Sequence, residues 1–330
     1  MNSPTRPFRA ACVLAALVVA TPIFAQSSDA TGYPNQPVHL VVPFGAGSGP
    51  DVRARQLGQK LTEQWGQPVV VENRPGAGGQ LAMGQVARAA PDGYTLVMAG
   101  QSPMAIAPHL VKLPYDPLRD FTAVTRTSRG PIILVVNPEL PARTVAEFVD
   151  YANRNPGQLN AASWGAATIT HLALERFMRT ANVEIVHVPY KSAGQAVTEL
   201  MAGRVQLAFE FYPTIGGQLK AGRLRAIAVS GRERLPALPE VPTFTEAGMQ
   251  DMETVSGWQG VAVPAGTPRE VVDKLQAAVA RALALPDVQK SYTDSGFETV
   301  GDTPEEFAEF IRAEYARWGK LIAAAGIRVQ

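Results

Sequence analysis

The sequence predicts an α/β protein built from two α/β units. Three observations lead to this fold class. Strand-like apolar runs alternate with amphipathic helical stretches from Val38 onward, a second such series starts near Ile132, and 330 residues exceed the usual size of one domain. The order strand, helix, strand, helix, strand in the first series is typical of a largely parallel sheet covered by helices. A chain of this length buries sizeable cores without cross-links.

The first unit is predicted from its hydrophobic spacing. The strands are Val38–Phe44, Val69–Glu72 and Tyr94–Ala99, and the helices are Asp51–Trp65 and Leu81–Ala90. In the first helix, Val52, Leu57 and Leu61 recur at helical spacing, and we expect them to face the core. The turn residues at Pro91–Gly93 end the second helix.

The second unit begins with the apolar run "PIILVVN" (131–137). Thr144 is predicted to cap a helix, with Glu147 three residues later as in a capping box. The other predicted elements are strand Leu159–Ser163, helix His171–Arg179, strand Val183–Val188, helix Ala193–Ala202, strand Val205–Phe211, a helical turn at Gly216–Ala221 and the strand "LRAIAVSG" (224–231).

From Trp258 onward, the pattern of strands and helices resembles that of the first series. A strand is predicted at "WQGVAVP" (258–264), Thr267 is expected to cap a helix over Pro268–Leu285, and Thr303 a last helix that ends at Gly326. Periodicity alone does not decide to which unit these elements belong.

The N-terminal stretch has the layout of a secretory signal peptide. Arg6 and Arg9 precede an apolar run over Ala10–Ala20, and Ala25 offers a cleavage site. The alternative is a membrane anchor, but the apolar run is short for a membrane span. We expect residues 1–25 to be removed and the protein to be exported, to the periplasm of a host with two membranes.

Composition excludes several classes of function. The only cysteine is Cys12, so a mature chain that begins after Ala25 has no disulfide, thiol nucleophile or thiolate metal site. Without Arg6 and Arg9, 28 basic residues face 29 acidic residues, and no basic patch indicates a nucleic acid partner. No later segment is long and apolar enough to cross a membrane.

The loop "FGAGSGPD", which ends at Asp51, follows the first predicted strand and precedes a helix. Such loops lie at the carboxyl edge of a parallel sheet, where the helix N-terminus favours an anion. Known phosphate-binding motifs do not match. The loop has no Gly-Lys-Ser/Thr, and where the dinucleotide-binding pattern requires a final Gly or Ala this loop has Pro50, while the second Gly-rich loop (73–84) has Leu81. An ordinary tight turn remains the alternative.

A third loop, within Asn160–Phe177, places Ser163, Thr168 and Thr170 between a strand and a helix. Their hydroxyls either cap the helix or bind an anion. Enzyme patterns are weak, since G-x-S-x-G and H-E-x-x-H are both missing from the sequence. Glu210 is a candidate general acid or base, a ligand contact, or a solvated carboxylate.

Several stretches together resemble the Bug-type extracytoplasmic solute receptors of the tripartite tricarboxylate transporter family. They include "YPNQPVHLVVPFGAGSGPDVRAR", "VVVENRPGAGG", "AAPDGYTLVMA", "VHVPYKSAGQAVTELMAGRVQ", "LKAGRLRAIAVSGRERLPALPEVPTFTEAG" and "VPAGTP". These motifs stand in the family's order and span nearly the whole chain from Tyr33.

The resemblance implies a type II periplasmic-binding-protein fold, in which two α/β lobes joined by a two-segment hinge enclose a ligand cleft. It assigns residues 33–130 plus 257–330 to lobe 1 and residues 131–256 to lobe 2. It implies binding of a carboxylate by the first loop and a Ser/Thr-bearing loop of lobe 2. The expected ligand-binding residues are Phe44, Gly47, Ser48, Gly49, Asp51, Ser102, Ser163, Ala166, Thr168, Thr170 and Glu210.

The chain departs from the family's usual pattern in three places. Residues 47–50, around Ser48, differ from the usual loop, Glu210 stands in place of Asp, and Ser192 stands in place of Gly. Ser48 adds a hydroxyl, and Glu210 is expected to reach further into the cleft. Phe44, Trp164 and Phe211 either contact an apolar ligand body or form the wall and core. These departures affect the identity of the ligand rather than the fold.

The sequence thus favours a capture protein without catalysis, cofactor or metal, which delivers a small carboxylate to the membrane subunits of a tripartite tricarboxylate-type transporter. No Lys or Arg stands out in the two loops, so neutral dipoles are expected to hold the carboxylate. Two alternatives stay open. One is a sensor that reports to a membrane histidine kinase, and the other is a secreted hydrolase, for which no activated nucleophile is visible.

Overall fold

The computed structural model describes Met1 and residues 32–327, so the predicted signal peptide lies outside the described residues apart from Met1. The predicted α/β fold with two lobes is confirmed, because two separate sheets are each covered by helices. No helix within residues 32–327 is long and apolar enough to cross a membrane.

Strands and helices alternate along most of the chain, as the hydrophobic pattern predicts. They are β1 (Val38–Val42), α1 (Gly49–Trp65), β2 (Val69–Asn73), α2 (Gln80–Val86), β3 (Thr95–Gly100), β4 (Phe121–Pro131), β5 (Ile133–Val136), α3 (Val145–Arg154), β6 (Asn160–Ser163), α4 (Ile169–Ala181), β7 (Val186–Pro189), α5 (Ala193–Met201), β8 (Leu207–Glu210), α6 (Tyr212–Lys220), β9 (Arg225–Val229), β10 (Ser256–Pro264), α7 (Arg269–Leu283), α8 (Pro286–Asp294), β11 (Glu298–Thr299) and α9 (Pro304–Ala325). A short π-helical segment, Ser102–Ile106, follows β3.

The first sheet has the order β11-β4-β10-β3-β1-β2 and the second the order β7-β6-β8-β5-β9. The prediction of a largely parallel sheet is right for β2-β1-β3, which are parallel. It fails for β10, which is antiparallel to both β3 and β4. The second sheet is mixed as well, since β6 is parallel to β7 and β8 while β5 is antiparallel to β8 and β9.

Two strands carry the chain between the lobes. Only Ile132 separates β4 of the first sheet from β5 of the second, and β10 brings the chain back. The two crossings lie side by side, since Ser256 and Gly257 of β10 pair with Pro131 and Gly130 of β4. Helices α7 and α9 both pack against β4, so the C-terminal elements cover the first sheet.

Some predicted boundaries were wrong for identifiable reasons. Strand β4 was missed because Thr125, Thr127 and Ser128, although polar, are fully buried in it. The predicted helix Pro268–Leu285 is followed by a helix that was not predicted, α8. Thr267 does not cap α7, because its hydroxyl donates to the carbonyl of Pro264. The predicted cap at Thr303 is confirmed, and Thr303 and Glu306 form a complete capping box. Thr144 caps α3 by accepting from the Glu147 amide, but the Glu147 side chain accepts from the Arg143 amide, so the predicted capping box is only half formed.

Candidate functional site

The first predicted loop ends where α1 begins, two residues earlier than predicted. Ser48 is the N-cap, in extended conformation, and its side chain makes no capping hydrogen bond. Its Oγ is buried and has no hydrogen-bond partner among the described residues. Since buried hydroxyls are normally paired, the Ser48 oxygen has a hydrogen-bonding capacity that the described residues leave unused.

Asp51 holds this loop in shape. Its carboxylate accepts hydrogen bonds from the Gly47 amide at 2.8 Å and from the Asn73 side chain at 2.9 Å, and it pairs with Arg55 at 3.0 Å. Burial alone would raise the pKa of Asp51, but the bonds from Gly47, Arg55 and Asn73 outweigh it, so the pKa lies below its ordinary value. Asp51 is therefore charged and structurally engaged.

The hydroxyls of the Ser/Thr-bearing loop, within Asn160–Phe177, bond within their own lobe. Thr168 Oγ1 donates to the Gly165 carbonyl at 2.7 Å, and Thr170 Oγ1 accepts from the Trp164 amide at 3.1 Å. Ser163 Oγ accepts from the Gly165 amide at 3.1 Å. All three side chains are buried, so in this structure they shape the loop instead of facing open space.

Two cavities lie where the lobes meet. The outer cavity, about 340 Å³, is lined by the first loop, the Gly-rich loop after β2 and the start of α5. The inner cavity, about 40 Å³, adjoins it and lies against the starts of α1 and α4 and the strand β10. Phe44, Trp164 and Thr214 line both cavities and so form the boundary between them.

The structure brings about half of the predicted residues to these cavities. Gly47 and Ser48 line the outer cavity, Gly49 and Ser102 line the inner one, and Phe44 lines both. The others line neither cavity: Asp51, Ser163, Ala166, Thr168, Thr170 and Glu210. Their binding roles stay predictions, while their immediate neighbours Trp164 and Ile169 are at the cavity surface.

The lobes touch each other at this point. Ser102 Oγ of the first lobe accepts a hydrogen bond from the Ile169 amide, in the first turn of α4, at 3.0 Å. Gly78 packs on the other lobe so closely that a β-carbon there would lie 3.3 Å from Thr168 Cγ2. The rings of Phe44 and Trp164 meet edge to face, with centroids 5.8 Å apart. The cleft is thus lined from both lobes and narrow.

Glu210 lies behind Trp164. Contrary to the expectation, its side chain does not reach into the cleft. It is fully buried, and its Oε1 accepts from the Trp164 indole Nε1 at 2.5 Å. Burial raises the pKa of Glu210 to about 8, although the bonds from Trp164 and the Phe211 amide oppose the shift. The contribution of Glu210 in this structure is to fix the indole ring that borders both cavities.

Sequence reasoning missed Arg53, which lines the inner cavity. Its side chain is buried, its Nε donates to Gln259 Oε1 at 2.8 Å, and its guanidinium lies 4.0 Å from the centre of the Phe297 ring. Arg53 precedes Leu57 by four residues and so shares its buried face, whereas Val52, predicted to face the core, is 53% exposed. The sequence signal that could have identified Arg53 is a charged residue at a position of α1 that the helical spacing assigns to the buried face. The expectation that neutral dipoles hold the carboxylate stays a prediction, and a cation now stands beside it at the inner cavity.

A serine–histidine pair is present, although none was predicted. Ser163 Oγ lies 2.5 Å from His187 Nε2, and His187 stacks on His171 at 3.9 Å. Burial, and then the proximity of His171, lowers the pKa of His187 to about 4, so the ring is neutral at pH 7. Ser163 is 1% exposed and lines neither cavity, so a substrate has no access to it in this arrangement.

Two α/β lobes joined by a pair of adjacent strands, with a cleft lined from both, define a periplasmic binding protein. The family model of the tripartite tricarboxylate transporter family receptor matches residues 53–327, and the chain belongs to this family. Both the family and the fold are those of solute receptors.

Comparison with individual proteins gives the same result. The chain is 32% identical to protein BugT of Bordetella pertussis over 316 residues, which are 95% of this chain and 97% of BugT. It is similar to Rpa4515 of R. palustris, solved with adipate, with 36% identity, a TM-score of 0.86 and coverage of 90% and 99% of the two chains. It is also similar to MatC of Rhodopseudomonas palustris, solved with malate, at 33% identity, TM-score 0.83 and coverage of 88% and 100%.

Proposed function

We propose that the protein captures a small carboxylate in the cleft between its lobes and delivers it to the membrane subunits of a tripartite tricarboxylate-type transporter. The observation that carries the proposal is the unpaired, buried Ser48 hydroxyl at the start of α1, on the wall of a cavity between the lobes. The similar proteins solved with adipate and malate support the ligand class.

The two helix N-termini at the cleft favour an anion. Ser48 and Thr168 are the N-caps of α1 and α4, and neither side chain makes a capping hydrogen bond. The first turns of both helices therefore carry the positive ends of the helix dipoles. Two of their amide positions are not on offer, because Pro50 has no N–H and the Ile169 N–H donates to Ser102 Oγ. A carboxylate between them gains hydrogen bonds to a charged group, each contributing on the order of 1.5–3 kcal/mol.

We further propose that this capture involves no catalysis, and that the protein works in the periplasm after removal of residues 1–25. The lobes are proposed to comprise residues 33–130 plus 257–330 and residues 131–256. Mass spectrometry of the protein recovered from a periplasmic fraction tests the processing, because the expected mature chain begins at Gln26.

Calorimetric titration with adipate, malate and citrate tests the function. We expect saturable binding of at least one acid with one site per chain, and a higher melting temperature in its presence. Replacing Ser48→Ala should weaken that binding about tenfold or more, whereas the matched variant Ser291→Ala, at an exposed serine of α8, should bind as the parent does. A folded protein that binds no mono-, di- or tricarboxylate would contradict the proposal.

A further inference from the structure

Arg53 carries a buried charge without a carboxylate partner. Among the described residues, no carboxylate oxygen lies within 4.0 Å of its guanidinium nitrogens. Its one hydrogen bond there is from Nε to the neutral Gln259. A buried charge is costly unless it is paired, so an arginine held this way calls for an anion that the protein itself does not supply.

The free edge of the guanidinium faces the inner cavity. Nη1 and Nη2 make no hydrogen bond within residues 32–327, and Gly49 packs closely against them: a β-carbon at this residue would lie only 3.3 Å from Nη2 and 3.5 Å from Nη1. Gly49 and Arg53 both line the inner cavity. The two terminal nitrogens of an arginine match the two oxygens of a carboxylate.

The walls of the inner cavity contain no competing anion. Its lining has no acidic residue, and apart from Arg53 it consists of five aromatic residues and nine uncharged non-aromatic residues. Glu210, behind Trp164, has its pKa raised by burial to about 8 and is therefore mostly neutral at pH 7. Glu314, which accepts from the Gln101 and Trp258 side chains, is already paired with Arg317 at 2.7 Å. Tyr292, whose hydroxyl is buried and unpaired among the described atoms, is neutral below its raised pKa.

The size of the inner cavity fits a terminal group and not a whole ligand. A water molecule needs roughly 10–15 Å³ of such space, so about 40 Å³ accommodates a group with a few heavy atoms. The outer cavity, which shares Phe44, Trp164 and Thr214 with it, is large enough for the remainder of a small acid. Because the Phe44 and Trp164 rings are in edge-to-face contact, a ligand that fills both cavities passes alongside these rings.

We propose that Arg53 is a specificity-determining residue that binds a second anionic group of the ligand in the inner cavity. This inference rests on the proposed function, in which a first carboxylate binds at the Ser48 side. The ligand class is thus narrowed to dianions, with two acidic groups separated by an apolar segment that lies against the Phe44 and Trp164 rings.

The test compares straight-chain dicarboxylates of four to eight carbons with the monocarboxylates of equal length, by calorimetric titration of the mature protein. The parent protein should bind its best dicarboxylate at least tenfold more tightly than the matching monocarboxylate. Arg53→Met should remove this difference while changing monocarboxylate affinity less than threefold. Arg53→Lys keeps the charge but loses the paired nitrogens, so it should retain part of the preference.

Lys60→Met, on the same helix but away from both cavities, is the matched control and should leave the preference intact. Circular dichroism and thermal melting establish that each variant is folded. If the parent binds mono- and dicarboxylates equally, or if Arg53→Met weakens both classes equally, the role of Arg53 is refuted while the proposed function stands. If the folded parent binds neither class nor any tricarboxylate, the proposed function itself fails.

Discussion

Glu210 makes the stability of the protein depend on pH in a direction opposite to that of most carboxylates. Burial raises its pKa from the ordinary 4.5 to about 8 in the folded protein. Between these two values the folded protein retains a proton that the unfolded chain has lost. The free energy of unfolding therefore falls as pH rises through this window, and the stabilising contribution is complete only below pH 4.5.

The size of the effect follows from the shift. One pKa unit corresponds to about 1.4 kcal/mol, so a full titration of this fully buried group changes the unfolding free energy by about 5 kcal/mol. Glu210→Gln keeps an oxygen that can accept from the Trp164 indole but has no proton to lose. Relative to the parent, the variant should gain about 1.4 kcal/mol per pH unit from pH 5 to 8 and then level off.

Urea denaturation of both proteins at each pH from 5 to 9 measures this difference, and subtracting one from the other cancels the titration of all other groups. Glu309→Gln, on the exposed side of α9, controls for the loss of a carboxyl group. A difference between parent and Glu210→Gln that stays constant from pH 5 to 8 would show that Glu210 is ionised in the folded protein, and the account of Trp164 positioning by a buried, neutral acid would be refuted.

Three further predictions concern the fold and the absence of catalysis. Thr303→Ala removes the capping box of α9 and should lower the unfolding free energy by about 1 kcal/mol, as measured by urea denaturation; an unchanged midpoint would contradict it. Gly260→Ala should destabilise by on the order of 1–3 kcal/mol or more, since the new β-carbon would lie 2.3 Å from the Phe307 ring, whereas Gly217→Ala meets open space and should be tolerated. Incubation with p-nitrophenyl acetate should give the same slow hydrolysis for the parent and for Ser163→Ala, and a Ser163-dependent burst would restore the hydrolase hypothesis.

Local sequence patterns predicted the order of most elements. They did not predict the long strand β4, which connects the two lobes. Val38–Val42 and Ile133–Val136 are apolar runs, and hydrophobic periodicity is sufficient to find such strands. Strand β4 was missed because of its buried polar residues, and the partner of Thr125 is distant in sequence: Thr125 Oγ1 donates to the carbonyl of Asp302, 177 residues later. A partner so remote leaves no trace within the segment itself.

The candidate site shows the same division between local and distant information. The loop before α1 was found because glycines between a strand and a helix are a local pattern, and Ser48 does line a cavity. Whether a hydroxyl faces the cleft or its own loop depends on the path of the backbone, as Thr168 and Thr170 demonstrate. Sequence spacing does not encode that choice, because both arrangements are compatible with the same residues.

The charge on α1 connects the fold with the choice of ligand. Asp51 and Arg53 are two residues apart but differ in their partners. The Asp51 carboxylate accepts hydrogen bonds from Gly47 and Asn73 and forms an ion pair with Arg55, whereas Arg53 has a hydrogen bond only to the neutral Gln259. Helical geometry explains the difference, since residues two apart point to different sides of a helix. Asp51 faces its own loop and completes it, whereas Arg53 faces the cavity. An excess positive charge therefore remains where the lobes meet, and a dianionic ligand would neutralise it as the cleft encloses the molecule.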